Sequence, residues 1–214
     1  MKKHLIIAAL TALAAISATA QGYVVFASTK AAGVYFAPAG TLGNNTLTTG
    51  FLWGSAAAPA PLIGSTGNPK TSTASGDWNQ ILLDPNYQIA RNVTGSALVS
   101  VAVNNSGLAQ AGWSYNGSVS FPLLNSTAGS TIKAYAIAWE SIYSTPQAAA
   151  AAGGMLGWGN LINYVTAPDG GSPASTFALS GSTAFGVSVV PEPGTFALAG
   201  LGMAAMLIAR RRNK

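Results

Sequence analysis

The stretch Thr131-Ile-Lys-Ala-Tyr-Ala-Ile-Ala-Trp139 decides the fold class of this chain. It is β-branched and aromatic rather than rich in strong helix formers, and it alternates without an outward polar face. Ile132, Ala134, Ala136 and Ala138 point one way, and Lys133, Tyr135, Ile137 and Trp139 the other, so both faces are largely apolar. A strand of that kind sits inside a sheet and is covered on both sides. Working outward, short runs of similar character occur at 23–27, 33–36, 50–53, 97–103, 118–121, 161–165 and 184–189, each bounded by Gly, Asn, Ser or Pro. The expectation is a mainly β chain with one β-sandwich-like domain, jelly-roll or Ig-like.

One helix interrupts the strands. Thr145 has the chemistry of an N-cap, Pro146 suits the first helical position, residues 147–152 are strong formers, and Gly153-Gly154 supplies a left-handed stop. Its two turns fit a crossover between strands. The Gly-, Ser- and Pro-rich stretches 55–60, 64–76 and 168–175 read as loops, and none has the length or charge of a domain linker.

Both ends of the 214-residue chain carry different signals. At the start, Lys2 and Lys3 precede an apolar run over 5–16 and a small-x-small site at Ala18-Thr19-Ala20, the pattern of a signal peptide cut before Gln21 by signal peptidase. The alternative is an uncleaved anchor, for which the run is short. At the end, Pro191, Glu192 and Pro193 form a strip that resists regular pairing. An uncharged run over 196–209 follows, then Arg210, Arg211, Arg212 and Lys214. That run makes about 21 Å of helix against a hydrocarbon core of roughly 30 Å. It reads as a short C-terminal transmembrane helix whose basic cluster stays cytoplasmic and snorkels. A buried core helix is the alternative that the length permits.

The order Pro-Glu-Pro, short apolar span and terminal arginine cluster resembles the PEP-CTERM sorting signal of Gram-negative bacteria. The resemblance covers about the last 25 residues. It implies recognition by an exosortase, a membrane-embedded cysteine transpeptidase-like enzyme, transient anchoring in the inner membrane, removal of the helix and cluster, and delivery to the cell surface or an extracellular polysaccharide matrix. Within residues 132–193, Ala138-Trp139-Glu140, the Thr-Pro helix start, Gly153-Gly154 with Gly157, the aromatic strand around Tyr164, Gly171-Ser172-Pro173 and the Phe185-Gly186-Val187 strand resemble the exported part of PEP-CTERM proteins of Verrucomicrobia-type bacteria, a likeness that implies no activity. The resulting division is signal peptide 1–20, exported domain 21–189 and sorting signal 190–214.

Removing the two ends changes the electrostatics. Between residues 21 and 190, Lys30, Lys70, Arg91 and Lys133 balance Asp77, Asp84, Glu140 and Asp169, so the net charge of +5 belongs to the targeting segments. Nucleic acid is therefore not an expected partner. A neutral surface rich in Gly, Ala, Ser, Thr and Asn favours self-association. Cysteine is absent and the one histidine, His4, lies in the leader, which excludes Ser-His-Asp, Cys-His and His-based zinc arrangements in the exported part.

Two kinds of residue remain as candidates. The acids Asp77, Asp84, Glu140 and Asp169 would serve a polysaccharide-cleaving enzyme only if two of them faced each other at roughly 5 to 9.5 Å; Asp84 before Pro85 and Asp169 before Gly170 read first as turn residues. Trp78 and Trp113 lie in polar surroundings and are candidates for stacking on sugar rings, with core packing as the default for them as for Trp53 and Trp139. Asn44, Asn92, Asn104, Asn116 and Asn125 open Asn-x-Ser/Thr triplets, read as surface-loop markers before glycan acceptors. The expectation is a non-enzymatic surface or matrix protein with a structural or adhesive role, no cofactor and no metal. The alternative is a carbohydrate-binding module for exopolysaccharide.

Overall fold

The computed structural model describes residues 21–60, 82–92, 94–104, 111–168 and 175–190, together with 201–203, 206 and 210 near the C-terminus. The expected leader (1–20), the loop at 64–76, Asp77, Trp78 and Asp169 lie outside these residues. Within them the chain is mainly β.

The strands are β1 (Tyr23–Val24), β2 (Val34–Phe36), β3 (Thr41–Leu42), β4 (Leu47–Ser55), β5 (Gln88–Ile89), β6 (Val101–Ala102), β7 (Phe121–Pro122), β8 (Thr131–Glu140), β9 (Met155–Trp158), β10 (Ile162–Val165) and β11 (Phe185–Val189). Helix α1 spans Pro146–Ala151. The larger sheet runs β3-β2-β11-β9-β8-β4-β5, with β10 on β8 and β6 on β4, and β1 pairs separately with β7. All pairings between these strands are antiparallel except β2 with β11.

The long strand at 131–140 is the spine, and its two faces enter two different cores. Ile132, Ala134, Ala136 and Ala138 face a core with Val24, Phe26, Phe51, Trp113, Leu123, Tyr164, Phe177 and Phe185. Tyr135, Ile137 and Trp139 face a second core with Leu52, Leu82, Tyr87, Leu156, Val190 and the α1 residues Ala149 and Ala150. The antiparallel register with β4 matches large side chains to small ones: Phe51 faces Ala136, Trp53 faces Ala134 and Gly50 faces Ile137. The alanines of β8 leave the space that aromatic rings fill. Phe26, Phe51 and Phe177 meet with centroids 4.9 to 5.1 Å apart, and Phe26 continues to Trp113 at 5.7 Å.

Helix α1 forms as its sequence dictates. The Thr145 hydroxyl accepts from the Ala148 N–H at 3.1 Å, Pro146 opens the first turn, and Gly153 at φ 68° ends it. Its buried face, Pro146, Ala149 and Ala150, closes the second core.

The strand boundaries differ from the sequence reading in instructive ways. The run at 50–53 extends to Leu47–Ser55 because β8 offers a partner along its whole length. The run at 118–121 begins instead as a 3-10 turn at Tyr115–Ser118, with Asn116 and Gly117 left-handed, and only Phe121–Pro122 pair. Strand β9 lies where two glycines suggested only a helix stop. Its Gly157 is essential to that placement, since a Cβ there would land on the Gly186 carbonyl oxygen of β11. Gly157→Ala is expected to cost about 3 kcal/mol or more, read as a lowered urea midpoint of the exported domain; an unchanged midpoint would refute this close approach of β9 and β11.

Candidate functional site

Both expected processing junctions abut folded structure. Gln21, the expected first residue after signal cleavage, is half-buried, and the next residue is already fixed, with the Gly22 N–H donating to Ser126 Oγ at 2.9 Å. Ala18 and Ala20 lie outside the described residues. At the other end, β11 lies between β2 and β9, and it places Phe185 and Val187 in the first core. Val190 is 3% exposed in the second core, and its N–H donates to the Gly154 carbonyl at 3.1 Å. The domain is thus packed up to the residue before Pro191, one residue beyond the boundary expected at 189. Pro191, Glu192, Pro193, Arg211 and Arg212 lie outside the described residues. Residues 201–203, 206 and 210 are helical and exposed, Arg210 among them. Among the described residues no helix is long and apolar enough to cross a membrane.

Trp113 is a core residue and not a sugar platform. It is 1% exposed, packed between Phe26 and Phe185, and its neighbours Gly112 and Ser114 only make its sequence surroundings look polar. The strand-like segment around it pairs with the N-terminal segment, Ser28 N–H donating to the Trp113 carbonyl at 2.8 Å, which turns the indole inward. Trp139 is likewise buried, its Nε1 donating to the Tyr143 carbonyl at 2.9 Å.

An open cleft of about 510 Å³ lies at the end of β4, lined by Trp53, Ser55, Pro85, Asn86, Gln88 and Asn125 among others. A second, of about 540 Å³, is bordered by Ser28, Asn45, Val101, Asn104 and Ser114. Both combine neutral amides and hydroxyls with apolar residues, Ala57, Ala58 and Pro59 in the first and Val101, Val103 and the buried Trp113 in the second. Sequence reasoning did not assemble the first cleft, because Trp53, Asn86 and Asn125 come from separate parts of the chain and meet only through the β4–β5 register and the turn after β7.

The two described acids, Asp84 and Glu140, do not converge. Asp84 folds into its own turn, its Oδ1 accepting from the Asn86 N–H at 2.8 Å and from Asn86 Nδ2 at 2.9 Å. Glu140 ends β8 half-buried, and its Oε2 accepts from the Met155 N–H at 3.4 Å. Asp84 is close enough to act on Tyr135, five residues back along β8 from Glu140, or about 17 Å of strand. No group of three or more acidic, His or Cys side chains gathers among the described residues. Four of the Asn-x-Ser/Thr triplets start in turns: Asn44 Oδ1 accepts from the Thr46 N–H and hydroxyl, Asn92 Oδ1 accepts from the Thr94 hydroxyl, and Asn116 and Asn125 are left-handed; residues 105 and 106 of the Asn104 triplet lie outside the described residues.

Compared with known proteins, residues 189–212 match the PEP-CTERM protein-sorting motif. No curated protein and no solved structure matches the chain. The motif identifies an exosortase-type sorting signal on this chain and implies export with transient C-terminal anchoring.

The tyrosines of the cores set a pH limit on the folded domain. Burial pushes the Tyr135 hydroxyl far above its ordinary value, and the Asp84 and Tyr87 charges act in the same direction. Tyr87 is raised by burial and then by Asp84. Tyr164 is raised by burial, offset in part by the Val25 N–H that donates to its oxygen. The folded state therefore keeps these protons while unfolded tyrosines lose theirs near pH of about 10. Their contribution to stability is complete below that pH and falls as pH rises above it. The Tyr135 hydroxyl also has no hydrogen-bond partner among the described residues. Tyr135→Phe is expected to flatten the alkaline loss of urea midpoint and, at pH 7, to leave stability unchanged or raise it by up to about 1 kcal/mol; a marked loss at pH 7 would mean that the hydroxyl is bonded.

Proposed function

We propose that the exported domain is a non-enzymatic component of the cell surface or extracellular matrix, with a structural or adhesive role. The observation that carries this reading is the sorting motif joined directly to a packed, charge-balanced β domain. A sorting signal fixes an address, and a domain with so few charges, whose two described acids lie apart, offers surface rather than reaction chemistry. Neutral side chains such as Ser55, Asn86 and Gln88 keep little repulsion between copies, which favours lateral association in a crowded matrix.

The maturation behind this reading follows from charge and length. Arg210 to Arg212 hold the C-terminus on the cytoplasmic side, and an exosortase acts on the segment that follows Val190. Signal peptidase removes the other end before Gln21. The intact mass of the protein recovered from cells is expected to correspond to a chain that starts at Gln21 and lacks the basic cluster. Replacing Arg210, Arg211 and Arg212 together by Ala should leave the tail attached and the protein in the membrane fraction. Normal maturation of that triple variant would sink the sorting mechanism.

A carbohydrate-binding role is favoured by one observation, the amide-lined cleft bordered by Trp53. Asn and Gln side chains present a donor and an acceptor together, the pairing that sugar hydroxyls require. Binding of exopolysaccharide in a pull-down is expected to weaken in Gln88→Ala and Ser55→Ala, both at exposed positions where folding is unaffected. Equal retention of the two variants and the parent would remove the cleft from consideration.

A further inference from the structure

We propose that, while the tail is in place, one end of the domain rests on the lipid headgroup surface: the end built from residues 141–145, 153–155 and 189–190. This inference rests on the membrane reading of the tail. Strand registers bring the three segments together. Trp139 and Ser188 both pair with Leu156, Val189 pairs with Met155, and the Ser141 N–H donates to the Thr46 carbonyl at 2.8 Å beside the Leu47–Glu140 pair. The C-terminal ends of β8 and β11 therefore lie side by side, with the turn before β9 between them.

The length of chain outside the fold sets the distance. Five residues, 191–195, separate Val190 from the apolar run that begins at Phe196. Fully extended they reach about 18 Å, less than the roughly 40 Å diameter that a compact domain of this length has. Fraying cannot lengthen this tether cheaply, because Val190 is buried in the second core and bonded to Gly154. The end from which the chain leaves is therefore held within about 18 Å of the apolar run, and it is the end that faces the bilayer.

The side chains there suit a headgroup boundary. Ile142 is 74% exposed and Val189 65% exposed. Among the described residues, the charge on this end is that of Glu140, half-buried and engaged with Met155. Among the described cations of the domain, Lys133 lies near the start of β8 and Lys30 before the start of β2, both at the opposite end, and Arg91 follows β5 at the margin of the sheet, while Arg210 belongs to the tail. Contact with lipid thus covers two aliphatic side chains and strips water from no cation.

The chain has no cysteine, so one introduced thiol gives a single reporting position. A nitroxide on Ile142→Cys and, separately, on exposed Thr127→Cys just before β8 tests the orientation in full-length protein reconstituted into phosphatidylcholine vesicles. The label at 142 is expected to be several-fold less accessible to a water-soluble relaxing agent than the label at 127. Equal accessibility in protein that floats with the vesicles would overturn the docked orientation and leave the membrane tail standing. Failure to float would overturn both.

Discussion

The alternation of β8 between two cores is the constraint on which the remaining structure depends. A strand with one wet face needs one covering layer; Ile132 to Trp139 has none, and so it demands two. The alanines on one side draw aromatic rings from the N-terminal segment, from Phe51 and from Phe177 into the space beside the strand. On the other side Tyr135, Ile137 and Trp139 are themselves the bulk, so the covering elements can be small. Ala149 and Ala150 of a helix six residues long are enough. A short, alanine-rich α1 is thus a consequence of the large residues beneath it.

Much of this was legible before the fold was known, because it rests on local chemistry. The two-faced strand, the Thr145-Pro146 helix start and the Gly153 stop depend on nearest neighbours and appear where their residues dictate. The sorting signal was legible for the same reason, as a linear address whose parts keep their order. What escaped was set by long-range register. Strand β9 is held by β8 and β11 and has glycine at 157 because another backbone passes close, which no local propensity records. Trp113 shows the same limit from the other side. Its polar neighbours suggest exposure, yet the pairing of its backbone with Ser28 points the ring into the core.

The candidate cleft had no sequence signature either. Its amides belong to turns, and Asn125 adopts its left-handed conformation for backbone reasons. Amides in turns are common, so their convergence beside Trp53 could be seen only once β4, β5 and the turn after β7 were in place. Asp84 was judged more accurately from sequence, because an Asp followed by Pro-Asn already contains its own hydrogen-bond partner.

The parallel pairing of β2 with β11 has a consequence for the order of events during export. It joins Val34 to Phe185, the beginning of the domain to its end, and places the last strand inside the sheet rather than at its margin. Such a closure is slow relative to local hairpins, because nearly the whole chain must be present before the contact forms. A chain threaded across a membrane from its N-terminus can pair β4 with β8 early, but it must hold an open slot between β2 and β9 until residues 185–190 emerge. Those residues emerge just ahead of the hydrophobic tail. The sheet therefore closes only when the chain has emerged up to the sorting signal, so the last step of folding and the arrival of that signal are nearly simultaneous.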